Sequence, residues 1–423
     1  MKKNNKKGFV AIFITILILI ILMSIIASIV FLIAGEQEMS GNIIKSSKSF
    51  YVAEAGIEDA LLRLREDPAL SSLSYSIIIG DTESSVNISE TITNTKMIIS
   101  EGNSDDRIRK IQANYAVSTQ GASFFYGAQV GDGGMEMGNN ARIKGNVFSN
   151  GDVTNSNNKG YIDNTIIVAN NGNKIKGLII GEDAFAYSCE NSTIGGELTY
   201  VSGGHSTNCN AESTTTQIQE IQPEEFPISQ AQIDEWKVEA TSGGIIATDY
   251  VVAGSDSLGL VQIGTLSDPK DLIINGGANL NITATIYVTG DIIIANNAIV
   301  GLDEGYGVSS GVLIADGNIT INNNVLLGGS GVEGSYILIL STSNSLNPAV
   351  PAISLSNNAI GAIVYAPNGL INLKNNMSAH EITGYKINIS NNAEVIYESG
   401  LEDMVFSSGP GGSWQLISWD EIE

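Results

Sequence analysis

The residues of this chain that could carry out acid–base or metal chemistry are few and lie far apart. His205 and His380 are the only histidines, and neither belongs to a metal-binding spacing such as H-x-x-x-H. The acidic pairs Asp303-Glu304 and Glu402-Asp403 are adjacent carboxylates in polar sequence, which is typical of solvated turns. The sequence contains no phosphate-binding loop and no nucleophile-elbow motif. We therefore predict no catalytic centre, no metal site and no cofactor.

Cys189 and Cys209 are the only cysteines. In an exported domain they could form one disulfide across a loop of about 20 residues, which would contribute about 3 kcal/mol of stability in the chain-entropy model. The alternative is two free thiols.

The composition predicts a mainly β protein. Charged residues make up 16% of the chain, apolar residues 43%, and there are 46 glycines, a profile typical of strands joined by many turns. The formal net charge of −24 disfavours nucleic acid as a partner, because phosphate binding requires a basic surface. The simplest interpretation of the acidic balance is a solvated acidic surface.

A long apolar run near the N-terminus sets the organisation of the rest. Residues Phe9–Ala34 contain no charge and would form a helix of about 39 Å, longer than the ~30 Å hydrocarbon core of a bilayer. Four lysines precede the run and two glutamates follow it. The positive-inside rule therefore predicts a single-pass protein of the cytoplasmic membrane, with residues 1–8 inside and everything after Gly35 outside.

Helical periodicity continues beyond the membrane. Apolar residues recur at three- and four-residue steps through Phe50, Ala53, Ile57 and Leu64, and Pro68 would stop the helix. We predict one helix over residues 9–66 that crosses the membrane at 9–34.

Two motifs resemble those of type IV pilins. Lys6-Lys7-Gly8-Phe9 looks like a prepilin peptidase site, and residues 49–58 resemble the A-x-x-A-E-A-G motif of the PilX N-terminal family of minor pilins, at Ala53, Glu54, Ala55 and Gly56. The resemblance implies cleavage after Gly8, methylation of the new Phe9 amine, and incorporation into an extracellular pilus. It implies as partners the prepilin peptidase, other pilins and the pilus assembly machinery.

One position departs from the family pattern. Pilins usually carry Glu at the fifth mature position, where it is thought to neutralise the N-terminal amine of a neighbouring subunit, and this chain has Phe13 there. A buried amine without a partner is costly. Some tip-type minor pseudopilins also lack this Glu, so the departure favours a tip or low-copy role over a repeated position in the shaft.

A small β-sheet domain is predicted over residues 67–120. Ser74–Ile79, Lys96–Ile99 and Arg107–Val117 have strand character, and Ile111, Ala113 and Tyr115 alternate as in a half-buried strand. We predict that they form an antiparallel sheet packed on the second half of the helix.

Residues 121–423 contain a repeated phrase of the form I-x-I-x-N-N. Its copies begin at Met135, Val153, Ile166, Leu272, Ile292, Ile319, Ile353, Ile371 and Ile387. Starts at 135, 153 and 166 are 18 and 13 residues apart, and those at 353, 371 and 387 are 18 and 16 apart. This period predicts a parallel β-helix, in which branched side chains stack from coil to coil. The Asn pairs are predicted to form left-handed turns and hydrogen-bonded ladders.

The repeats are interrupted between about residues 182 and 271. This region is predicted to be an insertion, with one helix capped by Ser229 and Gln232 and docked through Ile233 and Trp236. The aromatic tail from Ser407 to Trp419 is predicted to cap the open end of the solenoid.

Three functions fit these features. The first is a non-catalytic minor pilin that presents a β-helix head for assembly or adhesion, with surface glycans as a further partner. The second is a membrane-anchored carbohydrate-active enzyme on the same β-helix, since such enzymes use clustered carboxylates. The third is a bactofilin-like surface scaffold, which the long N-terminal anchor disfavours in its cytosolic form.

Overall fold

The computed structural model describes residues 5–66, 70, 72–92, 95–117, 119–157, 159–409 and 414–422. The chain divides into two compact units. The first contains the N-terminal helix, residues 70–115 and residues 416–423, and the second is built mainly from residues 116–415. The second unit is therefore inserted between two segments of the first.

The N-terminal helix, α1, spans Asn5–Glu66 without interruption. The predicted continuous helix is confirmed, and it passes through Gly35 and Gly41, where an added Cβ would meet nothing within 4 Å. Pro68 lies outside the described residues.

The first unit also contains a five-stranded sheet. Its strands, in spatial order, are Leu73–Ile79, Thr82–Ile92, Thr95–Ser104, Arg107–Val117 and Trp414–Ile422. The predicted antiparallel sheet is present, and the three predicted strands belong to it; Thr82–Ile92 lies between the first two of them and pairs antiparallel with both. The strand Thr82–Ile92 was not predicted, because Thr82 and Ser84 occupy inward positions that usually carry apolar residues.

The prediction that the C-terminal tail caps the solenoid is wrong. Trp414–Ile422 instead lies beside Arg107–Val117, where Arg109 donates a 2.7 Å hydrogen bond to Glu421 and Asn114 a 2.9 Å hydrogen bond to Ser418. Without this strand the backbone groups of Arg107–Val117 would be left unpaired along one side, which is costly for a sheet edge.

Three stacks of parallel strands build the second unit. Stack A contains, in spatial order, Tyr250–Val252, Leu272–Ile274, Ile292–Ile294, Ile319–Asn322, Ile353–Ser356, Ile363–Lys374, Glu381–Ser390, Ala128–Met137, Val153–Asn155, Lys174–Lys176, Ser188–Glu190 and Ser206–Thr207.

Stack B shares the three longest strands with stack A. It contains Ile245–Ile246, Val261–Thr265, Ile286–Val288, Gly311–Ala315, Ile337–Ser341, Ile363–Lys374, Glu381–Ser390, Ala128–Met137, Val147–Ser149, Ile166–Val168, Ala184–Ala186, Glu197–Val201 and Ser213–Gln217.

Stack C is the third face. It contains Ser255–Leu258, Asn279–Ile282, Ile299–Leu302, Leu326–Gly328, Ser378–Ala379, Glu394–Ile396, Arg142–Lys144, Gly160–Ile162, Leu178–Ile180 and Thr193–Ile194, with a single bridging residue, Ile360, between the fourth and fifth. The inward side chains of all three stacks form one apolar core.

Three short strands and two 3-10 helices also belong to the second unit. Thr119–Ala122 pairs antiparallel with Met404–Ser407, and Asp268–Pro269 pairs antiparallel with Val261–Thr265. The two 3-10 helices are Glu304–Tyr306 and Ser399–Leu401.

The chain does not fill the stacks in sequence order. Residues 128–217, run one, and residues 245–396, run two, each add strands in order along the chain. Ile382 of run two pairs with Ala128 of run one, and Ile387 pairs with Met135. The end of run two therefore lies beside the start of run one, at what we call the junction, and the chain enters and leaves the stacks at this point.

The repeated phrase predicted most of the register of stack A. The copies that begin at Leu272, Ile292, Ile319, Ile353, Ile371, Ile387, Met135 and Val153 pair in that order. The copy at Ile166 was assigned wrongly: Val153 pairs next with Ile175, whereas Ile166 pairs with Val147 and Ala184 in stack B. Both stacks use alternating apolar residues, so the phrase can occur in either.

The predicted asparagine turns and ladders are confirmed. Asn323, Asn357, Asn375 and Asn391 have φ between 56° and 60°. Their side chains form a ladder in which Asn357 donates to Asn323 at 2.7 Å, Asn375 to Asn357 at 2.8 Å and Asn391 to Asn375 at 3.0 Å. A parallel ladder runs through Asn297, Asn324 and Asn358 at 3.0–3.1 Å.

The interruption is shorter than predicted. Between residues 182 and 271, parallel strands continue to Gln217 and resume at Ile245, so only residues 218–244, the crossover segment, lie between the runs. Strands such as Ala184–Ala186 and Ser213–Gln217 were not predicted, because Ala, Ser and Thr replace the isoleucines of the repeated phrase.

The crossover segment carries the second helix, α2, Gln230–Ser242. Its predicted capping box is confirmed, because Ser229 accepts from the Gln232 amide and the Gln232 side chain accepts from the Ser229 amide. Ile233 and Trp236 are buried in a second apolar cluster on the outer face of stack B, as predicted. This cluster explains why both faces of Gly311–Ala315 and Ile337–Ser341 are buried.

A half-buried ion pair fixes α2 to stack B. The Lys237 ammonium lies 2.5 Å from Asp316 Oδ1, which also accepts from Thr342 at 2.7 Å, and the Tyr287 hydroxyl donates to the other oxygen. Burial alone would raise the pKa of Asp316, but the hydrogen bonds from Lys237, Tyr287 and Thr342 outweigh it and lower that pKa.

Candidate functional site

The predicted processing positions lie in the first turns of α1. Gly8 and Phe9 fall inside the helix, which begins at Asn5. Phe13 follows one turn later, and its side chain is 63% exposed. Cleavage after Gly8 and methylation of Phe9 stay predictions.

The N-terminal half of α1 presents a continuous apolar surface. Every side chain from Ile12 to Ser40 is exposed, and by length and composition the helix could cross a membrane. The hydroxyls of Thr15, Ser24 and Ser28 donate to carbonyls of the preceding turn at 2.8–2.9 Å. These polar groups therefore need no water, which suits a helix surrounded by lipid.

The family-motif residues lie where α1 packs on the antiparallel sheet. Ala53 is fully buried, and a Cβ added to Gly56 would lie 2.2 Å from Ser100 Oγ and 2.8 Å from Ser84 Oγ. Those two hydroxyls are buried and share a 2.7 Å hydrogen bond. Gly56 is therefore needed for the close approach of helix and sheet.

Three further residues surround this contact: Glu54 and Ala55 of the motif, and Gly102 of the sheet, which the sequence did not indicate. Glu54 and Ala55 are half-buried at its margin. On the sheet side, a Cβ added to Gly102 would lie 2.0 Å from the Ser49 carbonyl. Small residues on both surfaces thus set the helix-to-sheet distance.

The histidines and acidic pairs do not converge. His205 lies 3.6 Å from Glu190, and His380 lies 3.3 Å from Glu398. Asp303 caps a 3-10 helix, accepting from the Gly305 amide at 2.9 Å and from Asn281 at 2.7 Å. Among the described residues, no group of three His, Cys, Asp or Glu side chains could hold a metal ion.

The two cysteines lie at one end of the stacks. Cys189 and Cys209 are joined by a disulfide, with Cα atoms 6.3 Å apart. Cys189 belongs to Ser188–Glu190, and Cys209 follows Ser206–Thr207, the last strand of stack A. The bond therefore ties the last strand of this stack to the one before it.

A shallow groove of about 570 Å³ crosses the outer face of stack A at the junction. Its floor consists of outward side chains that lie side by side in register: Asn372, Asn388, Glu136, Thr154 and Lys176. Five neighbouring strands contribute, so at about 4.8 Å per strand the groove is about 19 Å long.

Lysine ammonium groups dominate the charge of the groove. Lys174, Lys176 and Lys374 line it, together with a single carboxylate, Glu136. Glu136 is paired with Lys386 at 2.9 Å. Among the described residues, Lys374 has no ion-pair partner. The groove is thus a locally positive surface on a chain of net charge −24.

The two lysines of run one share a carboxylate. Lys174 and Lys176 lie 3.0 and 3.4 Å from Glu190. The hydrogen bond from Lys174 is the main cause of the lowered pKa of Glu190. This carboxylate therefore stays ionised and holds both ammonium groups at the groove.

The floor of the groove also has unused hydrogen-bonding capacity. Asn388 Oδ1 has no hydrogen-bond donor among the described residues. Hydroxyls of Thr154, Ser156 and Ser390 line the same surface. The groove can therefore offer both donors and acceptors beside its ammonium groups.

No family model and no curated protein matches this sequence. Among solved structures, the chain is similar to the competence-associated pilin ComZ from Thermus thermophilus, at 12% sequence identity and a TM-score of 0.27. The similarity covers 89% of this chain and 98% of that chain. At this identity and TM-score it establishes neither a shared fold nor a shared function.

The groove was missed in the sequence because its parts are distant along the chain. Lys374 and Lys174 are separated by 200 positions and share a surface only because run two ends beside run one. Within their strands these lysines stand at outward positions next to inward apolar residues, Ile175 and Leu373, which is also the pattern of an ordinary solvated face. No local signal distinguishes the two cases.

Proposed function

We propose that this chain is a non-catalytic, pilin-like subunit anchored in the cytoplasmic membrane by α1. The observation that carries this proposal is the division of α1 into two halves. The first half is apolar and exposed on every side, and the second packs through Val52, Ala53 and Ile57 on an antiparallel sheet. This layout is typical of a pilin stalk, and the Gly8-Phe9 site and the Ala53–Gly56 motif support it.

The second unit is the proposed extracellular head. Its three parallel stacks around one core support the interpretation as a parallel β-helix. A head of about 300 residues is bulky for a subunit repeated around a helical shaft, and Phe13 stands where shaft pilins carry Glu. We therefore propose a tip or low-copy subunit, with other pilins, the assembly machinery and the prepilin peptidase as partners.

Intact mass spectrometry tests the pilin assignment directly. In a host with a prepilin peptidase, we expect the mature chain to begin at N-methyl-Phe9, and we expect Gly8→Leu to keep residues 1–8. Gly35→Leu is the matched control, because it makes the same change at an exposed position of the same helix and should leave processing intact. A wild-type chain that keeps Met1–Gly8 would reject the assignment and leave a plain membrane anchor.

The position of the subunit in the fibre and its proposed lack of catalytic activity need separate measurements. Labelling of the head along the whole fibre, instead of at one end or at rare positions, would contradict the tip or low-copy role. Turnover of any member of a polysaccharide panel, lost on replacement of a carboxylate pair such as Glu402-Asp403, would favour the carbohydrate-active enzyme instead.

A further inference from the structure

We propose that the groove at the junction binds a short anionic oligosaccharide, whose charged groups are carboxylates or sulfates. This proposal depends only on the second unit and stands whether or not the chain enters a pilus.

Charge selects the class of ligand. Four ammonium groups, of Lys174, Lys176, Lys374 and Lys386, face two carboxylates, of Glu136 and Glu190. Both carboxylates are already paired with lysines, whereas Lys374 is left to meet an incoming anion. Charge-assisted hydrogen bonds from an ammonium to an anionic oxygen are among the stronger polar contacts in proteins.

The remaining lining suits a sugar. The amides of Asn372 and Asn388 lie on neighbouring strands, and the Ser390 hydroxyl lies two residues beyond Asn388 on the same strand. The Thr154 hydroxyl lies two strands beyond Asn388, on the other side of Glu136. They can exchange hydrogen bonds with successive hydroxyl groups of an extended chain. Among the described residues, no aromatic side chain lines the groove, so affinity must come from polar and charged contacts instead of ring stacking.

The length of the groove favours an oligomer over a single sugar. The five strands of the groove extend over about 19 Å. At one end of the groove, Asn372 donates a hydrogen bond to the Pro348 carbonyl at 3.4 Å. A longer polyanion such as duplex DNA would extend beyond the lysines, on a chain whose net charge is −24. At physiological salt the resulting repulsion acts over about 8 Å, so it would oppose DNA more than a short glycan.

Binding can be measured on the full-length chain in a neutral detergent by calorimetry. A hexamer of galacturonic acid carries carboxylates, a hexamer of sulfated chondroitin carries sulfates as well, and maltohexaose is the neutral control. We expect at least one anionic hexamer to bind about tenfold more tightly than maltohexaose. The affinity should fall when NaCl is raised from about 0.05 M to about 0.3 M, because salt screens exposed charges.

Lys374 provides the decisive variants. We expect Lys374→Gln to weaken binding about tenfold and Lys374→Glu to weaken it further, without loss of folding, because this lysine makes no ion pair within the described chain. Lys144→Gln is the matched control: it removes the same charge from stack C, where Lys144 pairs with Glu394 at 2.8 Å, and should leave binding within about twofold of wild type.

Three results would overturn the proposal. They are equal affinity for the neutral and anionic hexamers, equal effects of the Lys374 and Lys144 variants, and absence of binding by either anionic hexamer at about millimolar concentration. If duplex DNA bound with the same dependence on Lys374, the groove would be an anion site but the assigned ligand class would be wrong.

Discussion

Run one and run two build the same three stacks with different stabilising devices. Run two places Ile or Leu at most inward positions of stack A and joins its turns by asparagine ladders. In stack A of run one, the inward positions include smaller residues such as Val153 and Cys189, and a disulfide closes the far end. The strands of run two are therefore held by packing and repeated hydrogen bonds, and the end of run one by a covalent bond.

The use of ladders in run two and of a disulfide in run one follows from where the strands lie in the stacks. An interior strand of a stack has neighbours on both sides, so the ladder asparagine that follows it can both donate and accept, as Asn357 does. Ser206–Thr207 is the last strand of stack A, and its neighbour in that stack, Ser188–Glu190, lies on one side only. A cross-link there compensates for the missing contacts by restricting the unfolded chain.

Among the substitutions considered, removal of the disulfide should cause the largest loss of stability. We expect Cys189→Ser with Cys209→Ser to reduce the stability of run one by about 3 kcal/mol, because the bond closes a loop of about 20 residues. Hydrogen exchange should show faster exchange in the strands from Lys174 to Thr207, with run two unchanged. Reduction of the wild-type disulfide should give the same pattern, and equal loss of protection in both runs would contradict the comparison.

Replacement of an asparagine in the middle of the ladder should cause the next largest loss of stability. Asn357→Ala removes two side-chain hydrogen bonds and forces a residue with φ of 59° into a conformation costly for alanine, so we expect a loss of about 2 kcal/mol. Denaturant unfolding followed by Trp236 fluorescence measures it, since Trp236 packs on run two.

Two controls separate the contributions at this position. Asn357→Gly keeps the left-handed backbone and should cost about half as much. Asn191→Ala in run one, where Asn191 accepts only one bond from Asn208, should cost less than Asn357→Ala. Equal effects at Asn191 and Asn357 would mean that the ladder adds nothing in the interior.

The junction offers a pH-dependent test. Glu381, in the last long strand of run two, is fully buried; Thr383 donates to its Oε1 at 2.6 Å, and Oε2 has no partner among the described residues. Burial raises its pKa well above the ordinary value of 4.5. The folded chain therefore keeps a proton that the unfolded chain loses, and stability should fall as the pH rises above about 4.5 towards the raised pKa.

Replacement of this carboxyl should remove the pH dependence. Between those two pKa values the wild-type free energy of unfolding should fall by at most about 1.4 kcal/mol per pH unit relative to Glu381→Gln. Glu402→Gln, which makes the same change at an exposed position, is the control and should run parallel to wild type. A wild-type curve that also runs parallel to Glu381→Gln would show that Glu381 does not hold its proton in the folded chain.

Local features of the fold were predictable because their causes are local. The Ser229–Gln232 box fixes the start of α2, and the first and third positions of the phrase fix the register around Ile353 and Ile371. The junction was not predictable, because nothing near Ile382 or Ala128 in sequence specifies their pairing. The groove and the position of the final strand depend on such long-range pairing and were missed or misassigned for the same reason.

Insertion of the second unit between Arg107–Val117 and Trp414–Ile422 affects how the protein responds to proteolysis. Both connections of the second unit lead to neighbouring strands of the same sheet. After a single cut near residue 118, the Arg109–Glu421 and Asn114–Ser418 contacts and the strand pairing still hold the final strand in place. After a cut near residue 411, the chain from α1 still reaches the second unit. A nicked chain would therefore retain its second unit, and release of that unit would require two cuts.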